Sequence, residues 1–247
     1  MNVNRFTGLV RRCVEDYQMI AEGETIAVGV SGGKDSLSLL YALANMRGYY
    51  PARFSIHAVT LDMGFEETDF TPVKRLCEEL ETPYTLRRTD IARVIFSERK
   101  EANPCALCAK MRRGALHDLI KELGIRKIAL AHNFDDAVET FMLSLIYEGR
   151  ISCFQPVTYM DRSDVTQIRP MLYIGEGTVV GFAREYGLPI VENPCPMNGT
   201  SKREEVKTLL KTLGKCYPDL KNKIFGAMQR RPLDGWETTG NTRRPLP

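Results

Sequence analysis

Short apolar runs alternate with amphipathic stretches along the first 150 residues. Glu24 to Val30 (ETIAVGV) is an apolar run that ends in a glycine loop, the signature of a buried parallel strand. After the loop, Leu37, Leu39, Leu40, Leu43 and Met46 recur as one face of a helix. Phe54–Leu61 predicts a second strand, Pro72–Leu80 a helix and Tyr84–Arg88 a third strand. Ala109–Leu123 reads as a helix stopped by Gly124. Ile128–Ala131 follows as a fourth strand, and Asp135–Ile146 as a helix with Val138, Met142 and Leu145 on one face. This alternation means βαβ units, so the expected fold class is α/β with a parallel sheet and right-handed crossovers. Beyond Gly149 the pattern changes; that point is a candidate boundary, but the part beyond it is too small to stand as an independent fold. Gln167–Ile174 looks extended, Thr178–Tyr186 and Lys202–Leu213 look helical, and Arg230–Pro247 reads as a loose tail. The expected division is a helical segment at 1–22, a main domain at 23–216 and a small helical extension at 217–247.

Composition narrows the class. With 43% hydrophobic and 26% charged residues, wholesale disorder is excluded. No apolar run approaches the roughly 20 residues of a membrane span. The first residues, MNVNRFTGLVRRC, lack a signal-peptide core, so the expected location is cytoplasmic, with no membrane partner. The net charge of +3 says little, but its distribution says more. Tyr84–Arg113 carries a local +5 and the stretch from Ser201 to the end a local +6, leaving −3 on residues 1–200. Such stretches are either solvated helix faces or a footprint for phosphates. Arg112, Arg113, Lys202 and Arg203 are the candidates to face a nucleic acid.

Ser31-Gly32-Gly33-Lys34-Asp35-Ser36 lies between a predicted strand and a predicted helix. Glycines let backbone N–H groups approach a ligand closely, and a helix amino terminus adds positive charge, so the loop suits phosphate. Val28 and Asp35 rule out the G-x-x-x-x-G-K-[ST] loop, and G-x-G-x-x-G does not fit either. Seven cysteines in a reducing compartment point away from disulfides and towards metal or redox chemistry. Cys105 and Cys108 form a C-x-x-C just before a basic helix. By itself that spacing is compatible with zinc, a redox disulfide, an iron–sulfur cluster or coincidence. Further ligands could come from Cys13, Cys77, Cys153, Cys195 and Cys216, or from His57, His117 and His132. Cys195 stands out in the stiff loop Asn193-Pro194-Cys195-Pro196, whereas Cys13 and Cys77 read as small buried residues on amphipathic helices.

The hexapeptide resembles the PP-loop of the ATP pyrophosphatases, which implies a Rossmann-like parallel sheet of that superfamily's type. P-C-A-L-C-A-K-M-R-R-G-A-L, A-H-N-F-D-D-A-V-E-T, I-R-P-M-L-Y-I and N-P-C-P together are similar to the tRNA 2-thiocytidine synthetase (TtcA-like) branch of that superfamily, over about Gly23 to Leu213. The resemblance implies cleavage of ATP to AMP and pyrophosphate, with Mg²⁺, and an adenylated intermediate. It implies that Ser31, Gly32, Gly33, Lys34, Asp35 and Ser36 hold the phosphates, with Lys34 neutralising charge and Asp35 orienting the loop or Mg²⁺. Asp62 and Met63 would receive the adenine, the alternative for Met63 being core packing. Cys105, Cys108 and Cys195 would ligate a [4Fe-4S] cluster with one open iron. Asp135 or Asp136 would accept a proton or help with Mg²⁺, Arg112 would steady the adenylate, and His132 would line the nucleotide. The plain alternatives are helix N-capping for the aspartates, a core hydrogen bond for His132 and a solvated helix face for Arg112.

The implied activity is ATP-dependent thiolation of cytidine in tRNA. The implied partners are tRNA, a sulfur donor (cysteine desulfurase or sulfide) and a second copy of the chain as a homodimer. Two other functions fit less of the pattern: a lysidine-synthetase-like ligase with no cluster, and a non-catalytic iron–sulfur RNA sensor. The chain departs from the family pattern twice. Asn198 stands where a second cysteine is often found three residues after Cys195, and Cys153 is additional.

Overall fold

The computed structural model describes residues 2–65, 68–99, 104–192, 194–197 and 202–230, with 234 and 236. Asn193 and Asn198 therefore lie outside the described residues, as does most of the stretch expected to be a loose tail. Among the described residues no helix is long and apolar enough to cross a membrane.

The chain opens with α1 (Val3–Asp16), capped by the Asn2 side chain, which accepts from the Arg5 amide. β1 (Glu24–Gly29), α2 (Lys34–Met46), β2 (Phe54–Asp62), α3 (Thr71–Glu79) and β3 (Tyr84–Arg88) follow. Then come a π-helical turn at Arg93–Arg99, α4 (Pro104–Glu122), β4 (Lys127–Ala129) and α5 (Phe134–Leu143). α5 runs into a second π-helical turn, Ser144–Glu148, ended by Gly149 at φ 63°. β5 (Val157–Met160), β6 (Val165–Ile168), α6 (Glu176–Glu185), α7 (Lys202–Cys216) and α8 (Leu220–Arg230) complete the order.

The six strands form one sheet in the order β3-β2-β1-β4-β6-β5. Five of them are parallel, as the alternation implies, and β5 pairs antiparallel with β6 at one edge. A tight turn at Asp161–Asp164 joins the two, and a hairpin can only be antiparallel. β6 pairs with β4, so the chain beyond Gly149 continues the same sheet and the change of pattern marks no break in it. The extended stretch expected at Gln167–Ile174 is likewise shorter. It leaves the strand after Ile168 because Pro170 cannot donate to a ladder.

Alternate residues of β1 feed two cores. Ile26 and Val28 join the large one with α1, α2, α3 and α5 to α8, whereas Ala27 joins Leu119, Ile120 and Ile128 beneath α4. Cys13 and Cys77 are fully buried in the large core, as their helical positions imply. Phe6 of α1 stacks on Phe182 of α6 at 4.0 Å. Trp236 corrects the loose-tail expectation at that residue. It is fully buried, donates from Nε1 to the Phe154 carbonyl at 2.9 Å and packs edge-on against Tyr17 and Phe225.

Candidate active site

The strand order steps from β1 to β2 on one side and to β4 on the other, so a crevice opens at the carboxyl ends of these strands. A cavity of about 400 Å³ lies there. The loop after β1 forms its floor, Leu61, Asp62 and Met63 after β2 one wall, and Leu130 to His132 after β4 the other. Met63 is thus a lining residue as well as a packing one.

The phosphate loop is held by its own atoms. Ser36 Oγ accepts from the Ser31 amide at 3.1 Å and donates to the Gly33 carbonyl at 2.9 Å. Ser31 Oγ also reaches Ser36 Oγ, at 3.2 Å. Ser36 thus closes the loop from within and ties down both the amide and the hydroxyl of Ser31. Gly32 sits at φ +85°, and a Cβ there would come within 2.8 Å of Val191 Cβ. The Val191 amide also donates to the Gly32 carbonyl at 3.0 Å, so the segment after α6 lies directly on the loop.

Lys34 Nζ lies 2.8 Å from Asp35 and 3.3 Å from Glu176, the first residue of α6. Burial opposes its charge, but these two carboxylates outweigh that and raise its pKa above the ordinary lysine value. Asp35 accepts from Asn133 Nδ2 at 2.9 Å. Asn133 and Asp136 form a capping box at the start of α5, so the loop after β1 is tied to the helix after β4. Asn133 was not singled out in the sequence, although an Asn three residues before an Asp at a helix start is a readable sign.

The two aspartates part company. Asp136 lines the cavity; burial raises its pKa, against the pull of the Asn133 amide and of Arg203. Arg203 lies 3.3 Å from both Asp136 and Glu139 and donates to Thr140 Oγ1 at 3.1 Å. Its side chain therefore faces carboxylates, a correction to its expected outward role. Asp135 points away from the cavity. It accepts from the Glu176 amide at 2.6 Å and from Lys221 of α8. Asp62 accepts from the Gly64 amide at 2.9 Å, which fixes the turn after β2.

The C-x-x-C lies in the first turn of α4, not before the helix, because Pro104 is tolerated at a first helical position and starts the helix early. Cys105 is exposed, while Cys108 and Cys195 are partly buried, and none of the seven cysteines is in a disulfide. Burial raises the pKa of Cys108, the nearby Arg112 lowers it, and Cys195 and Cys105 raise it again. The fold has therefore brought the third thiol into the electrostatic neighbourhood of the first two. Among the described residues no three of His, Cys, Asp and Glu are gathered tightly enough for a single metal ion. Thiolates are the usual ligands of iron–sulfur clusters, and Cys105, Cys108 and Cys195 are the thiols that neighbour one another here. Arg112 lines the cavity as well, so it stands between the nucleotide crevice and the thiols.

The other thiols fall outside this set. Cys153 donates to the Ala137 carbonyl at 3.4 Å, and burial pushes its pKa up to about 12. Cys216 is exposed at the end of α7. Arg113 is exposed on α4, and Lys202 pairs with Glu205 at 2.9 Å and lies over the Tyr147 ring at 5.2 Å.

Comparisons agree with this geometry. Residues 6–212 match the PP-loop domain family. A tRNA-cytidine(32) 2-sulfurtransferase of Syntrophotalea carbinolica is 36% identical over 229 residues, covering 92% of this chain and 87% of that protein. The protein of the same name in Geobacter sulfurreducens is 36% identical over 222 residues, covering 89% and 86%. Among solved structures, the U34-tRNA thiolase NcsA from Methanococcus maripaludis with its [4Fe-4S] cluster superposes with a TM-score of 0.76 at 25% identity, over 99% of this chain and 83% of that one. The NH3-dependent NAD synthetase from Campylobacter jejuni shares the fold, with a TM-score of 0.51 at 18% identity over 93% of this chain and 94% of that one. With a phosphate loop, a switch-point crevice and three neighbouring thiols in one chain, the protein belongs to the PP-loop family and, within it, to that of the tRNA-cytidine(32) 2-sulfurtransferases.

Proposed function

We propose that the protein is an ATP-dependent sulfurtransferase that replaces the C2 oxygen of a cytidine in tRNA by sulfur. The observation that carries the reading is Arg112, which lines the nucleotide crevice and also lies close enough to Cys108 to favour its thiolate. One crevice then serves both halves of the reaction. ATP lies across the strand ends, with adenine beside Met63 and Asp62 and the phosphates on the amides of Gly32 to Ser36, on Ser31 Oγ and on Lys34. Asp35 orients Lys34 and, with the phosphates, holds Mg²⁺.

The C2 oxygen attacks the α-phosphorus, and the bond to pyrophosphate breaks. That oxygen, now carrying AMP, is a good leaving group. Hydrosulfide adds to C2, the C–O bond breaks, and AMP departs with the former C2 oxygen. Asp136, whose pKa is raised by burial, accepts the proton that hydrosulfide gives up. Arg112 offsets the charge of the departing AMP. Asp135 holds α6 and α8 against α5 and so acts as a positioning residue. Cys105, Cys108 and Cys195 hold a [4Fe-4S] cluster, which when bound offers an iron free of protein ligands to present sulfide. The sulfur comes from a cysteine desulfurase or from free sulfide. Arg113 and Lys202 bear the RNA backbone, and the target base leaves its stack to reach the crevice.

The test is anaerobic purification with iron and sulfide counts, followed by incubation with tRNA, ATP and sulfide. Formation of AMP, pyrophosphate and a 2-thiolated cytidine by a protein carrying four irons is the expected result. Release of ADP and phosphate would reject the loop assignment. Full activity without iron would favour a ligase that joins an amine to the activated base.

A further inference from the structure

His132 takes no part in adenylation or in sulfur transfer. His132, at the end of the segment after β4, lines the cavity on the side of β1 opposite β2. Its Nδ1 is buried and has no hydrogen-bond partner among the described residues. Its ring leans on Phe154, with centroids 5.0 Å apart. The Arg169 guanidinium lies over the same Phe154 ring, 4.9 Å from its centroid.

Arg169 is only 6% exposed, and among the described residues it pairs with no carboxylate. Its Nη1 donates to the Gln155 carbonyl and to Thr158 Oγ1, and its Nη2 to Gln167 Oε1 at 3.1 Å, while Nε has no partner. Gln167 Nε2 stands 2.8 Å from His117 Nε2, which anchors the set to α4. A buried cation with no counter-ion is costly, so a fold that keeps one has a use for its field.

We infer that His132 receives the polar edge of the acceptor pyrimidine, and that Arg169, behind Phe154, is its positioning residue. This rests on the thiolation reading above and assigns its base subsite. The charged groups facing the imidazole are Arg169 after β6, Arg112 from α4 and Arg203 from α7. Asp136 of α5 lines the same cavity but is engaged by Arg203 and the Asn133 amide. Burial, then the three arginines, holds the pKa of His132 well below its ordinary value, so the ring is neutral at physiological pH. A neutral imidazole is a poor partner for a phosphate, and three arginines repel a cation. An uncharged ring with hydrogen-bonding groups along one edge suits both. Adenine is placed on the β2 side of the loop, which leaves the β4 side to the second substrate.

The experiment has two arms. In the first, His132→Leu and His132→Gln are compared with wild-type holoenzyme. For His132→Leu, thiolation turnover should fall about tenfold or more while ATP affinity stays within about twofold, and His132→Gln, an uncharged donor and acceptor, should recover most of the loss. A parallel loss of ATP affinity would give His132 to the nucleotide and overturn the inference. The second arm is independent of turnover. The ¹⁵N signals of the His132 ring are followed while adding a short RNA loop with one cytidine, or the same RNA with that base removed. A shift with the first alone supports the inference, and an equal response to both overturns it, even if the wild-type protein thiolates nothing. For the positioning role, Arg169→Met should move the His132 titration midpoint upwards, whereas Arg169→Lys should leave it near the wild-type position. An unmoved midpoint in Arg169→Met would remove Arg169 from the assignment.

Discussion

The phosphate loop and the thiol group stand close together, yet they are organised in opposite ways. The loop is one contiguous hexapeptide whose hydroxyls and amides already bond one another, and Asn133 and Glu176 brace it from two helices. Phosphate finds its cradle formed, so little ordering cost remains on binding. The thiols come from the first turn of α4 and from a loop far downstream, and each is at least partly open to solvent. Cys105 and Cys195 both make it harder for Cys108 to ionise. Such a site is completed by its ligand, and its integrity is coupled to cluster loading.

That contrast can be broken most severely at the thiols. Cys105→Ala, Cys108→Ala and Cys195→Ala should each abolish sulfur transfer to tRNA and the visible absorption of a cluster, while ATP affinity by calorimetry stays close to wild type. Cys216→Ser should do neither. If Cys195→Ala kept both cluster and activity, the downstream loop would have no part in the site.

The converse variant is Lys34→Ala. Loss of a charged phosphate clamp should slow AMP formation by about 10²–10³-fold, with iron content and spectrum unchanged. A variant that lost iron would show that the two regions are not separable.

A smaller effect tests whether the loop is preformed. Gly32→Ala forces a left-handed backbone on a residue with a Cβ and drives it into Val191, at an expected cost of about 1–3 kcal/mol in thermal or denaturant unfolding. Adding Val191→Gly should restore the steric part only. Smallest of all, Arg113→Gln should lower the slope of tRNA affinity against salt by about one unit. Arg203→Gln should change that slope less, because its guanidinium is occupied by Asp136, Glu139 and Thr140.

These two regions also differ in how far they can be read from the chain. The loop is local: a strand, two glycines and a helix start are all encoded within a dozen residues. Even its details follow from short-range rules, as Asp136 shows by being a helix-capping residue and a cavity wall at once. Asp135 looked equivalent to its neighbour because adjacent residues share every local signal. A helix turns each residue by about 100° from the last, so one carboxylate faces the crevice and the other faces α8. Arg203 misled for a related reason. A basic residue at an amphipathic helix start reads as solvated, and only the packing of α7 on α5 brings buried Glu139 against it.

The sequence by itself determined the alternation of strands and helices, the phosphate loop at the end of β1 and the burial of Cys13 and Cys77. Each depends on periodicity or on a few consecutive residues. Tertiary structure decided the rest. It paired β6 with β4, making the chain beyond Gly149 part of the one sheet, and turned β5 antiparallel at its edge. It brought Cys195 near Cys108, placed Arg169 behind Phe154 and buried Trp236 against Tyr17. Those contacts join residues separated by long stretches of chain, and their energies come from burial and charge in a folded interior, which no short-range pattern records.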